Sequence, residues 1–145
     1  MKALLQRVTE ASVSVGGERV ARIGRGLLVF LGVEPEDRDE NAASLAAKTA
    51  ALRIFPDDDK PMNRSVVDVD GEILVVSQFT LAADTSRGNR PGFSSAAPPE
   101  QAERLYQAFA AALREHHSRV SMGVFGADMQ VALVNDGPVT FLLER

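Results

Sequence analysis

The 145-residue chain contains no cysteine, no tryptophan and only two histidines. Without cysteine it forms no disulfide, has no thiol nucleophile and cannot ligate zinc through sulfur. No apolar run approaches the roughly 18 residues that a membrane-spanning helix needs. The first residues carry one lysine and then alternate, which is not the pattern of a signal peptide. These absences predict a cytoplasmic chain that does not enter a membrane.

An excess of positive charge is also missing. The chain has sixteen Lys and Arg residues and twenty Asp and Glu residues, which gives a net charge of −4. This balance disfavours a broad basic surface that coats nucleic acid, and we expect no DNA partner, although a local basic patch remains possible. The length and the 45% apolar content are ordinary for one globular domain, so residues 1–145 are expected to share one core.

Apolar runs and turn residues predict the N-terminal half of the fold. A long alternating strand over 1–15 meets a Gly16-Gly17 turn, and a second strand over 18–23 returns. The apolar run 27–31 predicts a strand that is buried on both faces. Asp37-x-x-Glu40 resembles a capping box, and it predicts a helix that runs to about Leu52.

The second half predicts shorter strands and one further helix. Residues 65–69 and 72–78 are expected to form a hairpin around Asp70-Gly71. A helix is expected to begin at Pro98-Pro99, with one apolar face. Further strands are expected at 53–55 and in the C-terminal part. About eight strands, mostly joined as hairpins, predict an α+β protein: an antiparallel-rich, barrel-like β-sheet with two main helices.

Residues that commonly perform chemistry are scarce. Asp57, Asp58 and Asp59 lack the ligand spacing of a calcium loop and favour a solvated loop. His116 and His117 lie at a predicted helix end, where they oppose the helix dipole if charged. No Walker-type loop or nucleophile elbow is present. We therefore expect no metal and no cofactor. If the protein is an enzyme, we expect it to work by positioning its substrate, by donating to an oxyanion or through a group on the substrate, and not through a strong side-chain base.

Two stretches remain open to two interpretations each. Ser77, Gln78 and Thr80 end a buried strand, either as a polar group on a rigid platform or as an ordinary strand end. Asn135-Asp136-Gly137-Pro138 lies between two apolar runs, either as a hairpin turn or as rigid outward-facing carbonyls that judge the shape of a ligand. The long loop 82–98, with Arg87 and Arg90, is either mobile or functional.

The two stretches together identify a resemblance. Ser-Gln-Phe-Thr-Leu at 77–81 and Asn-x-Gly-Pro-Val-Thr at 135–140 resemble the two signature motifs of the D-aminoacyl-tRNA deacylase family. The similarity continues through most of the chain, in Gln6-Arg7-Val8, Ala11-Ser12-Val13, Arg53-Ile54-Phe55, Met62-Asn63, 75–84, Arg90-Pro91 and Ala127-Asp128-Met129-Gln130.

The resemblance implies a homodimer that hydrolyses the ester between a D-amino acid, or glycine, and the terminal adenosine of tRNA. It implies a cis Gly137-Pro138 peptide whose carbonyls enter the partner subunit's pocket and exclude L side chains. It assigns residues to three places: the pocket wall and reaction centre (Ser77, Gln78, Phe79, Thr80), the surroundings of the adenine (Phe125, Met129) and the support of the Gly-Pro loop (Arg7). Either Thr80 or the substrate's ribose 2′-hydroxyl is then expected to assist the chemistry.

Two other functions remain as hypotheses. One is a non-catalytic RNA-binding dimer that holds an unesterified 3′ end. The other is a small-molecule esterase with Ser77 or Thr80 as its nucleophile. The paired motifs favour the tRNA-editing hydrolase over both.

Overall fold

The computed structural model describes residues 1–145 as a six-stranded mixed sheet covered by two helices. The elements are β1 (Lys2–Val15), β2 (Glu18–Ile23), β3 (Gly26–Gly32), α1 (Asp39–Ala51), β4 (Glu72–Ser77), a 3₁₀ helix (Phe79–Ala82), α2 (Pro99–His116), β5 (Val120–Met122) and β6 (Met129–Glu144). None of the helices is long and apolar enough to cross a membrane.

The sheet is organised around β1, which is long enough to have three partners. Along one edge β1 pairs with β6 over its full length, and along the other it pairs with β3 and then with β2. These pairs are antiparallel, whereas β4 pairs in parallel with both β3 and β5. The sheet curves into a nearly closed barrel, which confirms the α+β, barrel-like prediction.

The core lies on both faces of the central strands. Leu27, Val29 and Leu31 of β3 belong to a cluster of 23 buried residues that includes the inner faces of α1 and α2. Leu28 points the other way into a smaller cluster of seven. The apolar run 27–31 is therefore buried on both faces, as its composition predicts.

Two predicted strands are not formed. Residues 65–69 are a turn in which Asp68 Oδ2 accepts from Ser65 N–H (2.8 Å) and Ser65 Oγ accepts from Asp68 N–H (3.1 Å). Such local hydrogen bonds compete with a strand ladder. Because β4 pairs in parallel with β3, the predicted 65–78 hairpin is wrong. The predicted strand 53–55 is reduced to one bridge between Phe55 and Arg64.

The start of α1 also differs from the prediction. Arg38 is the N-cap residue, and its N–H donates to Asn41 Oδ1 (2.8 Å). Asp37 instead faces the N-terminal ammonium of Met1, which donates to Asp37 Oδ1 (2.6 Å). The capping-box expectation for Asp37 and Glu40 was therefore wrong by one residue, because both Asp37 oxygens accept hydrogen bonds from groups before the helix, Met1 and Glu34 N–H (2.7 Å).

The C-terminal segment is a single strand. Both halves of β6 pair with β1, so Asn135-Asp136-Gly137-Pro138 does not reverse the chain and the hairpin-turn interpretation is wrong. Gln6 is in register with Thr140 and Val8 with Asn135, which leaves residues 136–139 opposite Arg7 alone. We call residues 136–139 the bulge. Such a bulge bends its strand and leaves the extra residues without partners in the ladder, and here Val139 packs into the core while Gly137 and Pro138 are exposed.

Candidate active site

A pocket of about 430 Å³ opens at the C-terminal end of β4. Four segments line it: the end of β4 and the next residues (76–79), Ala97 with the beginning of α2 (99, 102), the connection between β5 and β6 (125–128), and the beginning of β6 (129, 131). The pocket therefore collects Ser77, Gln78, Phe79, Phe125 and Met129 from separate places in the chain. Concave sites with a few polar groups are the usual form of a small-ligand site.

At the polar residues that end β4, the backbone changes from a strand to a 3₁₀ helix. Ser77 is the last strand residue, and the 3₁₀ helix begins two residues later. The alternation of side chains along the strand therefore stops at Ser77. Gln78 Nε2 donates to Thr80 Oγ1, so the two polar side chains contact each other. Thr80 itself is exposed and lies beside the pocket instead of lining it.

The 3₁₀ helix also presents backbone donors. Its first hydrogen bond runs from Leu81 N–H to Gln78 O (3.2 Å), so the N–H groups of Phe79 and Thr80 have no acceptor within the helix. A side chain at Gly32 would lie 2.9 Å from Leu81 Cβ, so a glycine there allows the 3₁₀ helix to pack on β3. Free N–H groups at such a turn can bind an oxygen on which negative charge develops.

The pocket contains no strong base. Asp128 is the only charged residue in its lining. His117 contacts Gly71 O at the opposite end of β4, about 20 Å along the strand from Ser77. Tyr106 lies below the pocket, where burial raises the pKa of its phenol to about 12 and its hydroxyl donates to Val75 O (3.0 Å). A Ser-His-Asp arrangement is thus excluded by distance.

Phe125 and Met129 form the apolar wall of the pocket. Both are half-buried, and the Phe125 ring lies against the Tyr106 ring with centroids 5.8 Å apart. A side chain at Gly123 would come within 2.9 Å of Met129 Sδ, so the absence of a side chain there leaves room for the thioether. A flat aromatic ring and a flexible thioether suit a planar apolar ligand face.

Arg7 holds the bulge from inside the sheet. Its side chain is buried, Nε donates to Asp136 O (2.9 Å) and Nη1 donates to Ile54 O (2.7 Å). Nε also lies 3.7 Å from Asp136 Oδ2. One guanidinium thus satisfies two carbonyls in different segments, which a planar group with several fixed donors does well.

The other residues of the 135–140 motif each have a structural role in the bulge. Asn135 Oδ1 accepts from Val139 N–H (2.7 Å), and Asn135 Nδ2 donates to Thr140 Oγ1 (3.0 Å), so one side chain spans the bulge. The Gly137-Pro138 peptide is cis, as the resemblance implies. Gly137 has a φ of +146°, and a Cβ there would lie 2.6 Å from Val139 Cγ2. Only glycine fits this position without rearrangement.

The bulge and the pocket of the same chain are far apart. Arg7 is in register with Leu27, whereas Ser77 is in register with Leu31, four residues further along β3. This separation is about 13 Å along the strand direction alone. Gly137 and Pro138 are exposed and do not line the pocket. Of the residues assigned by resemblance, Arg7, Gly137 and Pro138 therefore form one group, and the pocket residues with Thr80 form a second.

Sequence reasoning missed several residues around the two groups. Asn135 was read only as a turn former, although an Asx side chain followed by glycine and proline often closes a local loop. Phe93 lies on the long loop, and its ring contacts that of Phe79. An aromatic residue in an otherwise polar loop was the available signal. Tyr106 lies on the predicted apolar face of the second helix, and the signal there is its hydroxyl, because a buried hydroxyl needs a partner.

The fold and site define a class of protein: a small α+β enzyme whose pocket is lined by a hydroxyl and an amide, with unpaired backbone N–H groups next to it and no strong base. Comparison with known families makes this specific. The family model described as "D-Tyr-tRNA(Tyr) deacylase" matches residues 4–144. The chain belongs to this family and is accordingly a hydrolase.

Individual relatives agree over the full length. The D-aminoacyl-tRNA deacylase of Dinoroseobacter shibae is 64% identical over 144 residues, which cover 99% of each chain. The D-aminoacyl-tRNA deacylase of Pseudomonas aeruginosa (strain LESB58) is 60% identical with the same coverage. A solved structure described as "c-Myc DNA Unwinding Element Binding Protein" has 47% identity and a TM-score of 0.95, and it covers 100% of this chain and 99% of that chain.

Proposed function

We propose that this protein hydrolyses the ester between a D-amino acid, or glycine, and the 3′-terminal adenosine of tRNA, and spares L-aminoacyl-tRNA. The observation that supports the proposal is the presence of two preformed parts in one chain of this family: a pocket without a strong base beside unpaired backbone N–H groups, and a glycine-proline bulge fixed from inside the sheet. Such an enzyme removes D-amino acids that have been wrongly attached to tRNA, in the cytoplasm where tRNA is aminoacylated and used.

The bulge suits a chiral filter because it is backbone and cannot rotate away. Inverting the α-carbon exchanges a hydrogen atom and a side chain. A rigid wall on one side of the substrate then rejects even a methyl group by steric clash, which apolar contacts alone do only weakly. Arg7 and Asn135 hold the bulge at both sides, so the Gly137 and Pro138 carbonyls keep their positions.

The chemistry is assigned to the substrate's own ribose 2′-hydroxyl rather than to Thr80. Thr80 Oγ1 accepts a hydrogen bond from the Gln78 amide, and an amide N–H cannot take the proton of a threonine nucleophile. A nucleophile without an adjacent base stays weak. The free N–H groups of Phe79 and Thr80 are then available to stabilise the oxyanion of the tetrahedral intermediate.

Thr80→Val tests this assignment. We expect D-aminoacyl-tRNA hydrolysis to fall by no more than roughly tenfold, because the backbone N–H at residue 80 remains in place. A substrate with a 2′-deoxy terminal adenosine should lose much more. A loss of roughly 10³-fold or more in Thr80→Val, with the deoxy substrate still cleaved, would instead identify Thr80 as the nucleophile.

We further propose that the active enzyme is a homodimer in which the bulge of one chain enters the pocket of the other. In one chain the two groups are too far apart to meet. β6 is also an unprotected edge strand, because it pairs only with β1 and carries exposed Val134, Phe141 and Leu142. Long edges with apolar side chains are normally covered by another chain.

The direct test follows ester cleavage on D-Tyr-tRNA and L-Tyr-tRNA under identical conditions, with a no-enzyme control for spontaneous hydrolysis. We expect rapid loss of the D-ester and a rate near the spontaneous one for the L-ester. Equal hydrolysis of both, or of neither, contradicts the proposal.

The same assay separates the alternatives. Tight binding of uncharged tRNA without turnover would indicate a non-catalytic RNA-binding protein. A trapped acyl-enzyme on Ser77 or Thr80 with small esters would indicate a general esterase. One solved relative is described as a DNA-binding protein, so a duplex DNA competitor belongs in the assay, and we expect it to leave hydrolysis unaffected because the chain has a net charge of −4.

A further inference from the structure

Two exposed aromatic rings contact each other at the rim of the pocket. Phe79 is 54% exposed and Phe93 is 44% exposed. Their ring centroids are 5.1 Å apart, and their planes meet at 55°. Phe79 lines the pocket, whereas Phe93 lies just outside it. We call Phe79 and Phe93 the rim pair. Adjacent large apolar side chains that stay exposed at a pocket mouth indicate a contact surface for a ligand.

The loop that carries Phe93 is closed at its base. Asp84 and Gly92 exchange two backbone hydrogen bonds of 2.8 and 2.9 Å, which leaves residues 85–91 as a seven-residue tip. Ser95 Oγ donates to Ala82 O (2.5 Å), and Ser86 N–H donates to Asp84 Oδ1 (2.9 Å). Phe93 follows Gly92 directly, so its position beside Phe79 is determined by the closed base rather than by a free loop.

The tip carries unpaired positive charge. Arg87 and Arg90 are exposed, and neither forms a hydrogen bond or an ion pair in the structure. Half of a seven-residue tip extends at most about 12 Å, so the backbone at both arginines lies within about 12 Å of the closed base that carries Phe93. Aromatic rings beside unpaired arginines form the arrangement that binds single-stranded nucleic acid, through base stacking and phosphate contacts.

We propose that the rim pair with Arg87 and Arg90 binds the single-stranded nucleotide that precedes the terminal adenosine of the substrate RNA. Its base stacks on Phe93, and its phosphates contact the two arginines. This inference rests on the proposed function, which puts the terminal adenosine in the adjacent pocket.

The binding experiment uses a labelled RNA hairpin that ends in single-stranded ACCA, and reads fluorescence anisotropy. Phe93→Ala should raise Kd about 5- to 150-fold, the effect expected for one lost base stack. Phe93→Tyr keeps the aromatic face and should restore binding. Met62→Ala removes an equally exposed apolar side chain (44%) in another loop and serves as the control. An unchanged Kd for Phe93→Ala overturns the inference.

A kinetic experiment distinguishes stacking from a general defect. D-aminoacyl-tRNA has the preceding nucleotide, and D-aminoacyl-adenosine lacks it. We expect the ratio of kcat/KM for these two substrates to fall about 5- to 150-fold in Phe93→Ala. An equal loss on both substrates, or sedimentation of Phe93→Ala as a monomer, overturns the inference, because Phe93 then supports the pocket or a subunit contact.

If the proposed function is wrong, the hydrolysis and anisotropy experiments give a different combination of results. In that case the wild-type protein hydrolyses neither substrate, while the anisotropy experiment still reports whether Phe93 binds the RNA end. Loss of RNA binding in Phe93→Ala without any hydrolysis by wild type would contradict the deacylase and support the nucleotide site.

Discussion

A single arginine connects the sheet to the bulge. Arg7 is buried in the middle of β1, and its two donated hydrogen bonds go to carbonyls of Asp136 and Ile54. Gly137 lies against this guanidinium, since a Cβ there would be 3.4 Å from Arg7 Nη2. The position of the Gly-Pro carbonyls therefore depends on residues whose side chains never reach the ligand. Substitutions here test the proposed chiral filter without changing residues that line the pocket.

Gly137→Ala should disturb the filter more than the fold. The new Cβ would lie 2.6 Å from Val139 Cγ2 at a φ of +146°, so the bulge must shift. We expect the ratio of D- to L-ester hydrolysis to fall by roughly tenfold or more, a difference of about 1.4 kcal/mol. Parallel rate measurements on both esters give this ratio.

Gly17→Ala is the matched control for that substitution. Gly17 also has a positive φ (+81°), but a Cβ there meets nothing within 4 Å. It should cost about 1 kcal/mol in the free energy of unfolding, measured with urea, and leave the D/L ratio unchanged. If both variants lose selectivity equally, the ratio reports general destabilisation and not the bulge.

Tyr106 should make the free energy of unfolding depend on pH in the alkaline range. Burial raises the pKa of its phenol from about 10 to about 12. Between these values the unfolded chain releases the proton and the folded chain keeps it, so the free energy of unfolding should fall as pH rises from 10 to 12. Below pH 10 both states keep the proton, and the buried phenol makes its full contribution to the free energy of unfolding. Tyr106→Phe should remove this alkaline loss.

The titration can be followed by tyrosinate absorbance and assigned to Tyr106, because the chain has one tyrosine and no tryptophan. Tyrosinate absorbance should titrate with a midpoint near 12 in the native protein and near 10 in urea. A native midpoint near 10 would show that the phenol is hydrated and that Tyr106 is not buried beneath Phe125.

At the scale of elements, the site is formed where regular structure stops. β4 ends at Ser77, a 3₁₀ helix replaces it, and the bulge interrupts the pairing of β6 with β1. Regular strands satisfy their own N–H and C=O groups, whereas interrupted ones leave such groups free to act on a ligand. The loop from Ala83 to Pro98 completes the mouth of the pocket through Phe93.

The loop tip should contribute to RNA binding through charge. Arg87→Gln with Arg90→Gln should weaken the binding of uncharged tRNA and reduce the slope of log Kd against log salt by about 1 to 2, if each arginine neutralises one phosphate of a single strand. Kd measured between 50 and 200 mM salt gives the slope.

Arg19→Gln is the control for charge alone. Arg19 is exposed on β2, has no ion pair, and lies on a different part of the sheet. It should leave the salt slope unchanged. An equal flattening by Arg19→Gln would show that net charge, and not the loop tip, determines the salt dependence.

At the scale of the whole molecule, the proposed chiral filter requires a dimer, because the bulge and the pocket of one chain are too far apart to meet. Leu142→Lys introduces a charge on the exposed apolar part of β6, where Leu142 is 52% exposed. We expect this variant to sediment as a monomer and to lose D-ester hydrolysis. Dilution of the wild-type protein below its dimer dissociation constant should have the same effect.

Val20→Lys is the corresponding control, since Val20 is 46% exposed on β2 and lies outside the β6 edge. It should remain dimeric and active. A Leu142→Lys monomer that still hydrolyses the D-ester and spares the L-ester would contradict a site completed across subunits.

Much of the fold follows from local sequence because its signals are local. Gly16-Gly17 adopts positive φ at both residues and reverses the chain, and the apolar face of α2 packs as its spacing predicts. The 65–78 hairpin failed because Asp70-Gly71 is a valid turn signal in either context. Whether the following strand pairs with its neighbour in sequence or with β3 depends on distant residues.

The sequence alone determined the elements whose cause is local: strand patterning, helix faces, the absence of thiol chemistry and, through the paired motifs, the family. Tertiary structure decided what depends on long-range pairing. Asn135-Asp136-Gly137-Pro138 has the composition of a turn, and it became a bulge only because β1 is long enough to pair with the chain on both sides of it. The contact between Phe79 and Phe93 likewise arises only when the loop base closes. Local composition specifies how a segment can bend, and the partner across the sheet specifies whether it does.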